Sequence, residues 1–278
     1  MRAVSLHRDV LVVTSALLQV NCVIVRGGVE QGAALAGAPP VAEAPVNGET
    51  FVIDSPVLPD ELDSLPALLE QAGFAAPSGL LATHGDWDHL LAPMAFPGVA
   101  LGCAESTAER LRDSPGEPQR ALRAFDEELL IGRQRPLALG SVQPLPVPGY
   151  CAIADQEIEL HPTQGHTSDG MAIVVPWARV LIVGDYLSPV ELPTLDDAGD
   201  LASYLATLDR LQALIAVVDH VVPGHGPVLE RDRALAALEG DRAYLTALGK
   251  LGQQAELPPG RKAAGDRRAH TQNVERLR

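Results

Sequence analysis

Directly after an apolar run, Gly79–Thr83, the chain reads His84-Gly85-Asp86-Trp87-Asp88-His89. Four side chains able to bind a metal thus fall within six residues. Buried without an ion, such a cluster loses hydration that nothing replaces. This stretch therefore constrains the fold more than any other. The apolar run must be a strand that delivers the cluster to its end, and the rest of the chain must bring partners to it. Imidazole and carboxylate together suit zinc, iron or manganese. Gly85 lets the backbone turn tightly where the strand stops.

Three later turns each place one more candidate ligand after an apolar run: Gly165-His166-Thr167, Gly184-Asp185 and Pro223-Gly224-His225-Gly226. His7, His161, His220 and His270 have no partner at ligand spacing and are read as incidental.

The elements between these turns are short. Val10–Leu18, Asn21–Arg26, Phe51–Asp54, Ile158–His161, Met171–Val175, Arg179–Val183 and Val217–Val222 read as strands. Helical spacing of Leu runs from Pro59 to Gly73, in two pieces over 104–131 broken at Pro115-Gly116, from Leu201 to Ile215, and from Ala234 to Leu251. Residues 132–150 are Pro-rich and read as irregular. Strands come in runs with helices after them, so the expectation is one α/β domain of two sheets with helices outside, over residues 1–252. Within it, 27–50 is a Gly/Ala/Pro-rich flexible loop or insertion. Residues 253–278, polar and basic, are expected to be a disordered tail.

Composition sets the class of partner. Of 278 residues, 46% are hydrophobic and 21% charged, which excludes a disordered chain. The net charge is −15, with residues 253–278 locally basic. So acidic a surface repels phosphate, which argues against nucleic acid and anionic membrane as partners and leaves a small-molecule substrate. Cys22, Cys103 and Cys151 are far apart and odd in number, so no disulfide framework is expected and a reducing compartment is the simpler setting. Arg2 and Arg8 before an apolar stretch resemble a signal peptide, but Asp9, Gln19 and Asn21 interrupt that pattern. A cytoplasmic protein is expected, and oligomeric state is left open.

On the His84–His89 loop followed by His166, Asp185 and His225, at intervals of 77, 19 and 40 residues, the chain resembles the metallo-β-lactamase superfamily, including its glyoxalase II-like hydrolases. The resemblance runs from about Leu11 to Leu251 and takes in Asn21-Cys22-Val23-Ile24 and Phe51-Val52-Ile53-Asp54-Ser55. It implies a four-layer αββα sandwich. It also implies one or two ions: His84, Asp86 and His166 at one, Asp88, His89 and His225 at the other, and Asp185 bridging. Asp86 departs from the family pattern, which has histidine at that place. It adds a negative charge and a harder donor, closer to what iron and manganese prefer. Either Asp86 ligates, or the position has drifted and one metal site is weak or empty.

The activity implied is metal-dependent hydrolysis, with an activated water attacking a small acyl substrate: a thioester, lactone, β-lactam or related ester. Zinc is the first expectation for the ion, with iron or manganese next. The alternative is a non-heme iron oxidoreductase of the same fold, sulfur dioxygenase-like or flavodiiron-like. Asp88 is the candidate catalytic acid–base group, and Tyr186 the candidate to reach an oxyanion or simply to pack at a strand end. Asp54 either orients a ligand or caps the helix that follows. Trp87 either walls a pocket or packs its loop.

Overall fold

The computed structural model describes residues 1–28, 48–196 and 198–278. Among them, seven strands form a first sheet: β1 (Arg2–His7), β2 (Val10–Thr14), β3 (Asn21–Gly27), β4 (Glu49–Ile53), β5 (Gly79–Leu81), β6 (Leu101–Ala104) and β7 (Val142–Leu145), neighbours in that order. The pairs from β1 to β4 are antiparallel and those from β4 to β7 parallel. The second sheet holds β8 (Gly149–Ile153), β9 (Gln156–Pro162), β10 (Met171–Val175), β11 (Val180–Ile182), β12 (His220–Val222) and β13 (Leu229–Glu230). Its pairs are antiparallel except β11 with β12.

The central strands are apolar on both faces, and the layering explains why. Val10, Val12, Val23 and Ile53 of the first sheet meet Leu160, Ile173, Val180 and Ile182 of the second in a core between the sheets. The alternate residues, Leu11, Val13, Ile24 and Val52, face outward onto helices α1 (Pro59–Gln71), α2 (Ala92–Ala95), α3 (Glu105–Asp113) and α4 (Glu117–Leu129). On the other side, Ala172, Val174, Leu181 and Val221 pack against α5 (Leu201–Ile215), α6 (Arg231–Leu251) and α7 (Ala264–Arg276). With a period of two and both faces covered, a strand has no position for a polar residue, so it reads as a continuous apolar run. The result is the four-layer αββα sandwich.

Two expectations are corrected. Residues 132–150 are not wholly irregular, because β7 and the start of β8 lie there. Both strands are largely solvent-facing and sit at sheet edges, and Pro144 lies within β7, so no apolar alternation marks them. Residues 253–278 are not a disordered tail, because they carry α7. The buried residues of α7 are Asp266, His270, Asn273 and Val274, at i, i+4, i+7 and i+8. That is one helical face, but three of its four members are polar, so hydrophobic periodicity does not reveal it. His270 is thereby structural, with Nδ1 3.0 Å from the Tyr244 hydroxyl. Most of the 27–50 stretch lies outside the described residues. Its ends, Gly27 and Glu49, pair with each other in β3 and β4. Among the described residues no helix is long and apolar enough to cross a membrane.

Candidate metal centre

β9, β11 and β12 run the same way through the second sheet, and each leads out at one end into a turn bearing a candidate ligand: His166, Asp185 and His225. β4 and β5 are parallel in the first sheet and lead into Asp54 and the His84–His89 loop. The Met171 N–H donates to the Thr83 carbonyl at 2.7 Å and ties the two sheets together at this end. A side chain at Gly224 would collide with Asp185 Oδ1, so only glycine lets the His225 turn approach that carboxylate.

The seven residues predicted as ligands come together. His84 Nε2 stands 3.5 Å from Asp86 Oδ2 and 3.8 Å from Asp185 Oδ2. His166 Nε2 stands 3.5 Å from each of the same two oxygens. On the other side, His89 Nε2 lies 3.1 Å and His225 Nε2 3.3 Å from Asp185 Oδ1. Asp88 Oδ2 is 3.5 Å from His225 Nε2 and 3.9 Å from His89 Nε2. Asp185 therefore turns one oxygen to each group of ligands. Donors bonded to one ion at about 2.0–2.1 Å in a tetrahedral array stand about 3.3–3.5 Å apart, so these spacings suit a shared ion.

Each imidazole is oriented through its second nitrogen. His89 Nδ1 donates to Asp54 Oδ2 at 2.9 Å, His166 Nδ1 to the Thr194 carbonyl at 3.0 Å, and His225 Nδ1 to the Leu18 carbonyl at 2.8 Å. His84 Nδ1 lies 3.1 Å from Thr83 Oγ1, whose own proton goes to Asp54 Oδ2. With acceptors holding Nδ1–H, the Nε2 of each ring is the atom that, once free of a proton, aims a lone pair inward. The Nε2 atoms of His84, His89 and His166, and Oδ1 of Asp185, are buried with no hydrogen-bond partner. Such orphans are costly unless something binds them, and a divalent cation is what this donor set fits.

The charges respond to one another. Burial pushes the Asp185 carboxyl up, but His225, His89 and His84 outweigh it and hold it well below the carboxylate range. Asp86 is likewise held low against burial by His166 and His84. Burial pulls His166 and His225 down, yet the facing carboxylates, Asp86 and Asp185 for one and Asp185 for the other, bring them up to about 9 and about 10. Burial pulls His89 down as well, but Asp185, Asp54 and Asp88 outweigh it and raise it well above the usual imidazole value. Without a cation, protons balance these carboxylates.

Asp54 orients His89 and caps no helix. Its backbone has φ +56° at the end of β4, and its two oxygens take the Thr83 N–H, the Thr83 hydroxyl and His89. Tyr186 is corrected from a candidate oxyanion donor to a support for His166. It is 2% exposed, packs on Tyr204, and its hydroxyl accepts the His166 backbone N–H at 3.1 Å. Trp87 packs on Phe125 of α4 with ring centroids 4.5 Å apart and planes inclined at 42°, which is loop packing.

Sequence reasoning missed a ring of supporting residues. Arg110 on α3 reaches Asp86 and Asp169, and Asp169 Oδ2 accepts the Gly85 N–H and the Thr107 hydroxyl. Only Asp169 carried a signal, an acid three residues after His166. Glu191 lies 3.6 Å from His225 Nδ1, its carboxyl pushed up to about 7 by burial first and by Asp185 and Asp88.

This sandwich, with its candidate ligands at one end of both sheets, defines a class, and the chain belongs to it. A sequence model of the metallo-beta-lactamase superfamily matches residues 46–225. Among solved structures the chain is similar to DIM-1 metallo-beta-lactamase, with 15% identity, 88% of this chain and 96% of that one covered, and a TM-score of 0.58. It is similar to a metallo-beta-lactamase from Pontibacter korlensis, at 18% identity, 86% and 98% coverage and a TM-score of 0.55. It is also similar to the inverting sec-alkylsulfatase Pisa1 from Pseudomonas sp., at 13% identity and a TM-score of 0.70, over 99% of this chain but 49% of that one. At these identities the likeness is one of fold. No curated protein sequence matches significantly.

Proposed function

We propose that the chain is a metal-dependent hydrolase that directs a water at a small acyl substrate: a thioester, a lactone, a β-lactam or a related ester. One observation carries this reading: three buried Nε2 atoms without partners converge on a carboxylate whose two oxygens face two ligand groups. His84, Asp86, His166 and Asp185 Oδ2 would hold one ion. Asp88, His89, His225 and Asp185 Oδ1 would hold a second. Zinc, iron and manganese all accept this donor set. Bound there, such ions supply a lowered pKa for water and polarisation of the scissile oxygen.

The protein's own groups do the rest. Asp88 orients the attacking water and accepts its proton at Oδ1, the oxygen not turned to His225. Asp54 and Thr83 keep His89 and His84 in the tautomer that leaves Nε2 unprotonated. The net charge of −15 works against polyanionic partners and for a small molecule.

A second reading, a non-heme iron oxidoreductase of this fold, draws on Asp86, whose carboxylate gives both ligand groups two oxygen and two nitrogen donors. One experiment tests both. Protein stripped with a chelator is reloaded separately with zinc, iron(II) or manganese, then assayed on thioester, lactone, β-lactam, carboxylic ester and sec-alkyl sulfate panels and for dioxygen consumption. Metal-restored hydrolysis that is lost in His84→Ala supports the proposal. Dioxygen uptake with iron and no hydrolysis overturns it in favour of the second reading.

A further inference from the structure

Segment 187–196 follows Asp185 without regular secondary structure, yet it touches both ligand groups. Its Thr194 carbonyl holds His166 Nδ1, and its Glu191 lies beside His225. A segment of this kind needs partners for its backbone polar groups. Two side chains from beyond α6 supply several of them. Asn273, fully buried on α7, donates through Nδ2 to the Pro193 carbonyl at 2.7 Å and accepts the Leu195 N–H on Oδ1 at 2.8 Å. Thr194 is thus gripped on both sides by one amide. Arg261 donates to the Ser188 and Glu191 carbonyls, at 3.2 and 3.0 Å, while paired with buried Asp241. Both residues lie outside the stretch that the superfamily's sequence model matches, 46–225.

We propose that Asn273 is a positioning residue for His166, acting through the backbone on either side of Thr194. The chain of contacts is short. The Asn273 amide holds Pro193 and Leu195. The Thr194 carbonyl between them takes the His166 Nδ1 proton. The ring then presents Nε2 to Asp86 and Asp185 at 3.5 Å. The C-terminal helix is therefore part of the scaffold of one ligand group. The inference rests on the metal reading for its consequence, but the contact with His166 stands in the metal-free protein as well.

The test compares Asn273→Ala with Val274→Ala in the full chain. Val274 is buried on the same helix and packs in the core. Two readouts are taken: zinc affinity by chelator competition, and the imidazole Nδ1–H resonance of His166 by 15N NMR in metal-free protein. In Asn273→Ala one of two zinc ions is expected to bind about tenfold more weakly, the lower end for loss of a ligand's support. The His166 Nδ1–H signal is expected to broaden by exchange. Val274→Ala should change neither, even at equal loss of thermal stability. Unchanged zinc affinity and an unchanged signal in Asn273→Ala overturn the proposal, as does equal weakening in Val274→Ala. If Asn273→Ala does not fold, Asn273→Leu keeps the branched outline without the amide and carries the same test. Absence of zinc binding by the native chain overturns the metal reading, and the NMR arm then still decides whether Asn273 holds His166.

Discussion

The Arg110 guanidinium lies 2.9 Å from Asp86 Oδ1, while Oδ2 of the same carboxylate stands 3.5 Å from Nε2 of both His84 and His166. Asp86 thus divides its oxygens between a cation on α3 and the ligand group. An aspartate with an arginine behind it carries the same net charge as a neutral histidine would at this place. Arg110 is 16% exposed in its side chain and also meets Asp169, Glu117 and Asp196, so Asp86→His leaves it well partnered.

Asp86→His is accordingly expected to fold and to retain its metal count. Its preference should move toward zinc over manganese and iron, because imidazole is the softer donor. Elemental analysis after equilibration with the three ions in competition checks this. A gain of about one ion per chain would mean instead that Asp86 does not ligate.

Asp88→Ala is expected to lower kcat/KM on any hydrolysed substrate by a hundredfold or more, in the range of about 3–4 kcal/mol for a group that acts in the transition state. Tyr186→Phe should cost much less activity. Its main effect is to strand the buried His166 N–H, worth about 1–3 kcal/mol of stability. Steady-state kinetics and urea denaturation separate the two.

Asp54→Asn should weaken metal binding by about 10–100-fold, since one oxygen that now accepts becomes a donor and His89 loses its fixed tautomer. Asparagine tolerates the positive φ at this position, so the backbone is undisturbed. Chelator competition measures the loss, and circular dichroism checks the fold.

Stability of the metal-free protein and its affinity for metal should depend on pH with opposite signs. In the metal-free protein His166 and His225 are raised to about 9 and about 10 from 6.5. The folded state then binds more protons than the unfolded one between these values. That stabilisation is full below pH 6.5 and is lost as pH rises toward 9–10, on the order of a few kcal/mol. Metal must displace those protons, so its affinity should rise over the same range. Thermal melts of the stripped protein and chelator competition, both from pH 6 to 10, test the two trends. A stripped protein that gains stability as pH rises would contradict the charge assignment.

Much of the site is legible in the residue order. His84, Asp86, Asp88 and His89 stand next to one another, and His166, Asp185 and His225 each announce themselves in a glycine-containing turn after an apolar run. The strands between the layers are legible for the same local reason, since two buried faces leave an unbroken apolar string such as Met171–Val175. The supporting residues are different. Arg110 lies 24 positions after Asp86, and Asn273 lies 79 after Thr194. Their spacing carries no period, and their residue types are ordinary for an exposed helix. Tyr186 sat beside a ligand in the chain, and only packing on Tyr204 turned its hydroxyl to the His166 backbone.

By itself, then, the sequence determined which donors exist and that they fall at strand ends, because ligand type, turn glycines and apolar runs are local properties. Only the tertiary structure decided which nitrogen of each imidazole faces inward, which oxygen of Asp185 serves which group, and that a polar C-terminal helix braces the site. Those outcomes depend on hydrogen-bond partners drawn from distant segments, where burial leaves each polar group one acceptable arrangement.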